Sequence, residues 1–197
     1  MELDKKHIIE RFHNTLEEIS NQVLKNSNVI SIDSIINITD SILEILENKN
    51  RVFLYGAGRS GFIARAFAQR LMHLGIKSCF ISDAVTYRYT EDDLLIIISG
   101  SGGTTSSLAI TQKAKEIGGK IVLFTTNPES SIGHISDLVV AIKGKSKDKA
   151  TSEISLAPYT SLFDISTLSV LDAIGGVLMD ILNISENDID KTHASIE

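Results

Sequence analysis

The chain has 197 residues, which suits one compact domain over 1–197 at roughly 100–200 residues per domain. With 43% hydrophobic and 22% charged residues, two prolines and no low-complexity tract, it is not intrinsically disordered. A net charge of −6 and 6% aromatics with no Trp argue against nucleic acid as a partner, and an anionic ligand would have to be held by local dipoles and a few basic groups.

The single cysteine, Cys79, supports neither an intramolecular disulfide nor a cysteine-rich metal site and reads as a small buried hydrophobe. The polar start Met1-Glu2-Leu3-Asp4-Lys5-Lys6 does not resemble a signal peptide, so a cytoplasmic location is expected. No uninterrupted apolar run exceeds the length of Leu94–Ile98, far short of the roughly 20 residues that cross a bilayer, so no membrane span is expected.

Residues 7–24 place Ile8, Phe12, Leu16, Ile19 and Val23 on one helical face, and a second helical pattern covers Ile32–Leu46. These two helices, within residues 1–50, are expected to cover a sheet edge or mediate assembly. From Arg51, within an α/β core of residues 51–183, five short apolar runs alternate with helical patterns: Val52–Tyr55, Ser78–Ile81, Leu94–Ile98, Ile121–Thr125 and Leu138–Ile142. Their near-continuous apolar character fits strands of a parallel sheet buried on both faces. Gly75 and Gly118-Gly119 close two of the crossover helices. Lys143–Pro158, with its lysine-rich start, reads as a solvated polar loop before a long helix over Ser161–Leu182. Residues 184–197 form a tail with a helix start at Ser185.

Two loops carry the chemistry. The first strand runs into Gly56-Ala57-Gly58-Arg59-Ser60-Gly61 and then a helix, a context in which glycines permit close backbone approach and the helix start attracts an anion. Taken alone, this also fits a dinucleotide site with Asp83 on the ribose, the reading of an NAD-dependent dehydrogenase. The third strand leads into Ser99-Gly100-Ser101-Gly102-Gly103-Thr104, whose hydroxyls and backbone N–H groups suit a phosphate monoester. In a doubly wound sheet of order 2-1-3-4-5 the first and third strands are neighbours, so both loops open onto one crevice. The substrate-binding candidates are therefore Gly58, Arg59, Ser60, Ser99, Gly100, Ser101, Gly102, Gly103 and Thr104. Arg59 either neutralises the ligand or pairs with a neighbouring carboxylate. His73 and His134 lack the spacing of a metal site and read as structural, so no metal is expected.

These loops resemble those of the sugar isomerase family of phosphosugar-binding domains, and most closely its hexulose-phosphate isomerases. Arg70-Leu71-Met72-His73-Leu74-Gly75, Asn127–Gly133, and His193-Ala194 with Glu197 extend the likeness over almost the whole chain after residue 50. The resemblance implies a flavodoxin-like three-layer sandwich, a homotetramer, no cofactor and a sugar phosphate as the small-molecule ligand. It implies interconversion of D-arabino-3-hexulose 6-phosphate and D-fructose 6-phosphate, the second step of formaldehyde fixation by the ribulose monophosphate route, through a cis-enediolate. It further implies Asp164 as the base, where the family carries Glu, and His193 as a proton relay entering a neighbouring subunit's site. The chain departs from the family pattern at Asp83, Gly103, Tyr159-Thr160, Thr192 and Ser195. The alternatives are a non-catalytic phosphosugar-binding regulatory module or an isomerase of another sugar phosphate.

Overall fold

A computed structural model describes residues 4–147 and 154–193. Its elements run α1 (Lys5–Val29), α2 (Ile32–Glu47), β1 (Val52–Gly56), α3 (Arg59–His73), β2 (Ser78–Phe80), β3 (Leu94–Ile98), α4 (Thr105–Ile117), β4 (Lys120–Thr125), β5 (Leu138–Ala141), α5 (Ser161–Leu182) and α6 (Glu186–Thr192). A short 3-10 turn, Gly133–Ile135, precedes β5. All strand pairs are parallel, in the order β2-β1-β3-β4-β5. The protein is thus the expected α/β sandwich.

Every residue of β1 and β3 is buried, as expected for strands covered by helices on both faces. Their register pairs Val52 with Leu94 and Gly56 with Ile98, so the loops leaving both strands emerge side by side. β2 ends at Phe80, one residue short of the expected run, because it is an edge strand paired only with β1. Cys79 beside it is half-buried rather than buried, with its Sγ 3.6 Å from Thr86 Oγ1.

The first helix packs on α5. The first half of its apolar stripe lies in solvent, with Ile8, Phe12 and Leu16 exposed, while Ile19 and Val23 are half-buried. The helix also docks through polar side chains. Asn26, fully buried, donates to the Lys143 carbonyl at 2.7 Å and accepts from the Lys143 N–H at 2.7 Å. Glu18 accepts from the Ala157 N–H at 2.6 Å, and Arg11 donates to the Leu156 carbonyl at 2.9 Å.

These bonds hold the segment before α5, and within the lysine-rich start Lys145 and Ser146 are buried while Lys143 and Lys147 are exposed. Gly144 passes so close beneath the start of α5 that a Cβ there would lie 2.9 Å from the Phe163 backbone. Among the described helices α5 alone has the length and apolar composition to cross a membrane. It packs instead against α1, α2 and α3, burying Leu171, Ile174 and Leu178.

Candidate functional site

Three helices begin at the carboxyl end of the sheet. The turn after β1 places Gly58 at the N-cap of α3 with φ 59° and ψ −126°, a conformation that side-chain-bearing residues rarely adopt. Thr104 is the N-cap of α4 and Thr160 that of α5. None of the three makes a side-chain cap bond. The Thr104 hydroxyl is therefore not occupied in capping α4. All three N-caps line one cavity of about 280 Å³, together with Arg59, Ser60, Ser99, Gly100, Ser101, Lys147, Tyr159, Phe163 and Asp164. Uncapped helix starts direct unpaired N–H groups and partial positive charge toward an anion.

The second loop is tightly held. Gly100 has its carbonyl bonded by Thr125 Oγ1 at 3.0 Å, Thr126 Oγ1 at 2.8 Å and the Thr126 N–H at 3.0 Å. Gly102 has φ 64°, and a Cβ there would fall 1.9 Å from Ser130 Oγ. Ser101 Oγ accepts the Gly103 N–H at 3.3 Å. Ser99 is buried on the cavity wall, and its Oγ has no hydrogen-bond partner among the described residues. A buried hydroxyl left unpaired is costly and suits a ligand oxygen.

Asp164, in the first turn of α5, is 4% exposed. Its Oδ2 accepts two bonds, from Arg59 Nε at 2.7 Å and from Thr160 Oγ1 at 2.7 Å. Arg59 therefore pairs with a neighbouring carboxylate while its own side chain stays 63% exposed at the cavity. Its guanidinium and the exposed Lys147 supply positive charge there, although the chain as a whole is acidic.

Gly58, Arg59, Ser60, Ser99, Gly100, Ser101, Thr104 and Asp164 thus meet in one cavity. Gly102 and Gly103 shape the loop without lining it. His193 does not join them. It stacks on His73 at the far end of α3, with ring centroids 5.2 Å apart, and Thr192 Oγ1 donates to the His73 carbonyl at 3.2 Å. The 1.5 Å rise per residue along α3 puts it roughly 20 Å from the cavity of its own chain. Ala194, Ser195 and Glu197 lie outside the described residues. Asp83, the would-be ribose ligand, receives Arg65 Nη2 at 3.0 Å and Nε at 3.2 Å instead.

Lys147, Tyr159, Thr160 and Phe163 were not among the expected site residues. The only prior signal was the departure from the family pattern at Tyr159-Thr160.

Residues 45–173 match the SIS domain family. The chain is 35% identical over 181 residues to a 3-hexulose-6-phosphate isomerase of Methanocaldococcus jannaschii, covering 92% of this chain and 96% of that protein. It is also 35% identical over 181 residues to the enzyme of that name from Bacillus subtilis, covering 91% and 96%. A crystal structure from Methanococcus jannaschii, whose authors infer a molecular function of 3-hexulose-6-phosphate isomerase, superposes with TM-score 0.79 at 34% identity and covers 92% of this chain and 98% of that one.

Proposed function

This chain belongs to the SIS domain family, and on that premise we propose that it interconverts D-arabino-3-hexulose 6-phosphate and D-fructose 6-phosphate. Relatives named for that activity, similar over nine-tenths of the chain, support a phosphosugar isomerase. The observation that carries the reading is the convergence of three uncapped helix starts on a cavity that also holds a buried carboxylate. The phosphate sits against Ser60, Ser99, Ser101 and Thr104, with Gly58 and Gly100 letting the backbone approach it and Gly102 and Gly103 shaping the loop behind them.

The reaction moves a carbonyl from C3 to C2. Asp164 takes the proton from C2, the C2–H electron pair forms the C2–C3 double bond, and the C3 oxygen takes up the charge as a cis-enediolate. The C3 oxygen takes up a proton, the C2 hydroxyl gives one up as the new carbonyl forms, and C3 receives the proton that Asp164 removed from C2. Atoms and electrons balance within the sugar, so the chemistry asks only for a base and an acid.

His193 is assigned the relay of the second proton in a neighbouring copy, because its own cavity is out of reach. A homotetramer is the assembly proposed, and the exposed stripe of Ile8, Phe12 and Leu16 on α1 is the surface offered to it.

The test is a coupled assay for fructose 6-phosphate formation from 3-hexulose 6-phosphate with the wild type, Asp164→Asn and His193→Ala. Turnover by the wild type, lost on Asp164→Asn, is the expected result. Binding of the sugar phosphate with no wild-type turnover would favour a non-catalytic binding module, or an isomerase of another sugar phosphate, instead.

A further inference from the structure

Thr160 stands where a threonine ordinarily accepts a backbone N–H to cap its helix, yet its hydroxyl makes no such bond. It donates to Asp164 Oδ2 at 2.7 Å, and Arg59 Nε donates to the same oxygen at 2.7 Å. Among the described residues Oδ1 accepts no hydrogen bond, so one carboxylate oxygen is held twice and the other is left free.

The residue before Thr160 supplies a second, independent observation. Among the described residues three that are not glycine have positive φ: Lys49, Tyr159 and Asn183. Lys49 and Asn183 follow the last turns of α2 and α5, where a left-handed residue is an ordinary helix ending. Tyr159, at φ 42°, instead precedes a helix start and lines the cavity. A bulky side chain in that region is strained, and such strain persists where the surroundings enforce it. Here it sets the direction from which Thr160 enters α5.

From this geometry we infer that Thr160 is a positioning residue: with Arg59 it fixes the Asp164 carboxylate through Oδ2 so that Oδ1 alone receives the substrate proton. The inference rests on the isomerase reading above. An aspartate reaches one methylene less far than the glutamate of the family pattern, so a carboxylate free to rotate would spend little time in reach of C2. Two donors on one oxygen remove that rotation. Both lone pairs of Oδ2 are then committed, and the C2 proton has one acceptor.

The experiment compares Thr160→Val, which keeps shape and loses the donor, with Thr160→Ser, which keeps the donor, and with Asp164→Asn. Thr160→Val is expected to lower kcat on the order of 10- to 100-fold, as a misplacement near 1 Å does, with KM within about twofold of wild type. Thr160→Ser is expected to restore most of kcat. Binding of inorganic phosphate and the melting temperature, both near wild type, show that the cradle and fold survive; Thr160→Ala serves as the second donor deletion should Thr160→Val fail to fold.

Wild-type kcat in a folded donor deletion, with Asp164→Asn inactive, overturns the positioning role and leaves the isomerase reading intact. So does a Thr160→Ser variant as slow as Thr160→Val, or a change confined to KM, which would place Thr160 on the substrate itself. Full activity in Asp164→Asn, or no turnover by the wild type, removes the isomerase reading and this inference with it.

Discussion

Asp93, at the amino end of the sheet, and Asp164, at its carboxyl end, are nearly equally buried, at 2% and 4% exposed, but their oxygens are used differently. Asp93 Oδ1 accepts the Arg51 N–H at 2.9 Å, while its Oδ2 accepts the N–H and the hydroxyl of Thr90, both at 2.8 Å. Asp137, at the same end, accepts the Ile121 N–H at 2.8 Å and the Lys115 ammonium at 2.5 Å. Every oxygen of the two is occupied, and one from each ties neighbouring strand starts together. At the carboxyl end Asp164 keeps an oxygen free, Ser99 Oγ has no partner among the described residues, and three helices start without a side-chain cap. The two N-terminal helices are capped: Asp4 accepts the Lys6 and His7 N–H groups, and Ser31 accepts that of Ser34. One end spends its polar groups on stability, and the other leaves them for a ligand.

Exchanging the two carboxylates' fates is the sharpest way to break this contrast. Asp164→Asn should reduce turnover by about 1,000-fold or more, within the range of a lost general base. Its stability should change little, because the charge left behind, Arg59, is exposed to solvent. Asp93→Ala should do the reverse. It strands the N–H groups of Arg51 and Thr90, at a cost of about 3 kcal/mol. The melting temperature would then fall by roughly 10 °C, with kcat of the folded enzyme near wild type. Scanning calorimetry beside the coupled assay checks both, and a large loss of stability in Asp164→Asn would erase the distinction between the ends.

A smaller effect separates neighbouring glycines at the carboxyl end. Gly102→Ala meets Ser130 Oγ at 1.9 Å in a backbone with φ 64°, and should destabilise by about 2 kcal/mol and weaken inorganic phosphate binding. Gly103→Ala meets nothing within 4 Å and should stay within about 0.5 kcal/mol of wild type. Denaturant unfolding and phosphate titration of the two variants decide it. Equal losses would mean that the loop is not held through Ser130.

The carboxyl end was only partly legible in the sequence. The strand-to-loop-to-helix passages at Gly56–Gly61 and Ser99–Thr104 could be read because they are local: an apolar run, then residues that permit backbone approach, then a helical stripe. Thr160 and Lys147 could not, because what brings them in is the docking of Lys143, Leu156 and Ala157 on α1, between residues 117 to 145 positions apart. Periodicity shows that α1 has two faces without showing which one is covered, and here Asn26, Glu18 and Arg11 hydrogen-bond to the segment before α5 while Ile8, Phe12 and Leu16 stay exposed. The family resemblance pointed to His193 as a site residue, but its position on His73 is a tertiary contact that no local pattern reports.

The smallest expected effect tests whether the amino end depends on charge as well as on hydrogen bonds. Tyr89 packs edge-on against Phe53, with ring centroids 5.1 Å apart, and its phenol is pushed well above the usual tyrosine range, first by burial and then by the carboxylates of Asp93 and Asp137. The folded state therefore favours the neutral phenol. As pH rises past about 10, the unfolded chain releases this proton while the folded chain retains it, so the folded state binds more protons and stability falls. The contribution is intact below that pH and is lost progressively up to the raised folded value. Tyr89→Phe cannot titrate, and it gives up only a long 3.5 Å contact to the Asp93 carbonyl. From about pH 9 to about pH 11 the wild type should lose about 1 kcal/mol more stability than Tyr89→Phe, read from urea unfolding at each pH. Parallel losses in the two proteins would mean that the phenol ionises as readily in the fold as outside it, and that Asp93 and Asp137 act at this end through their hydrogen bonds alone.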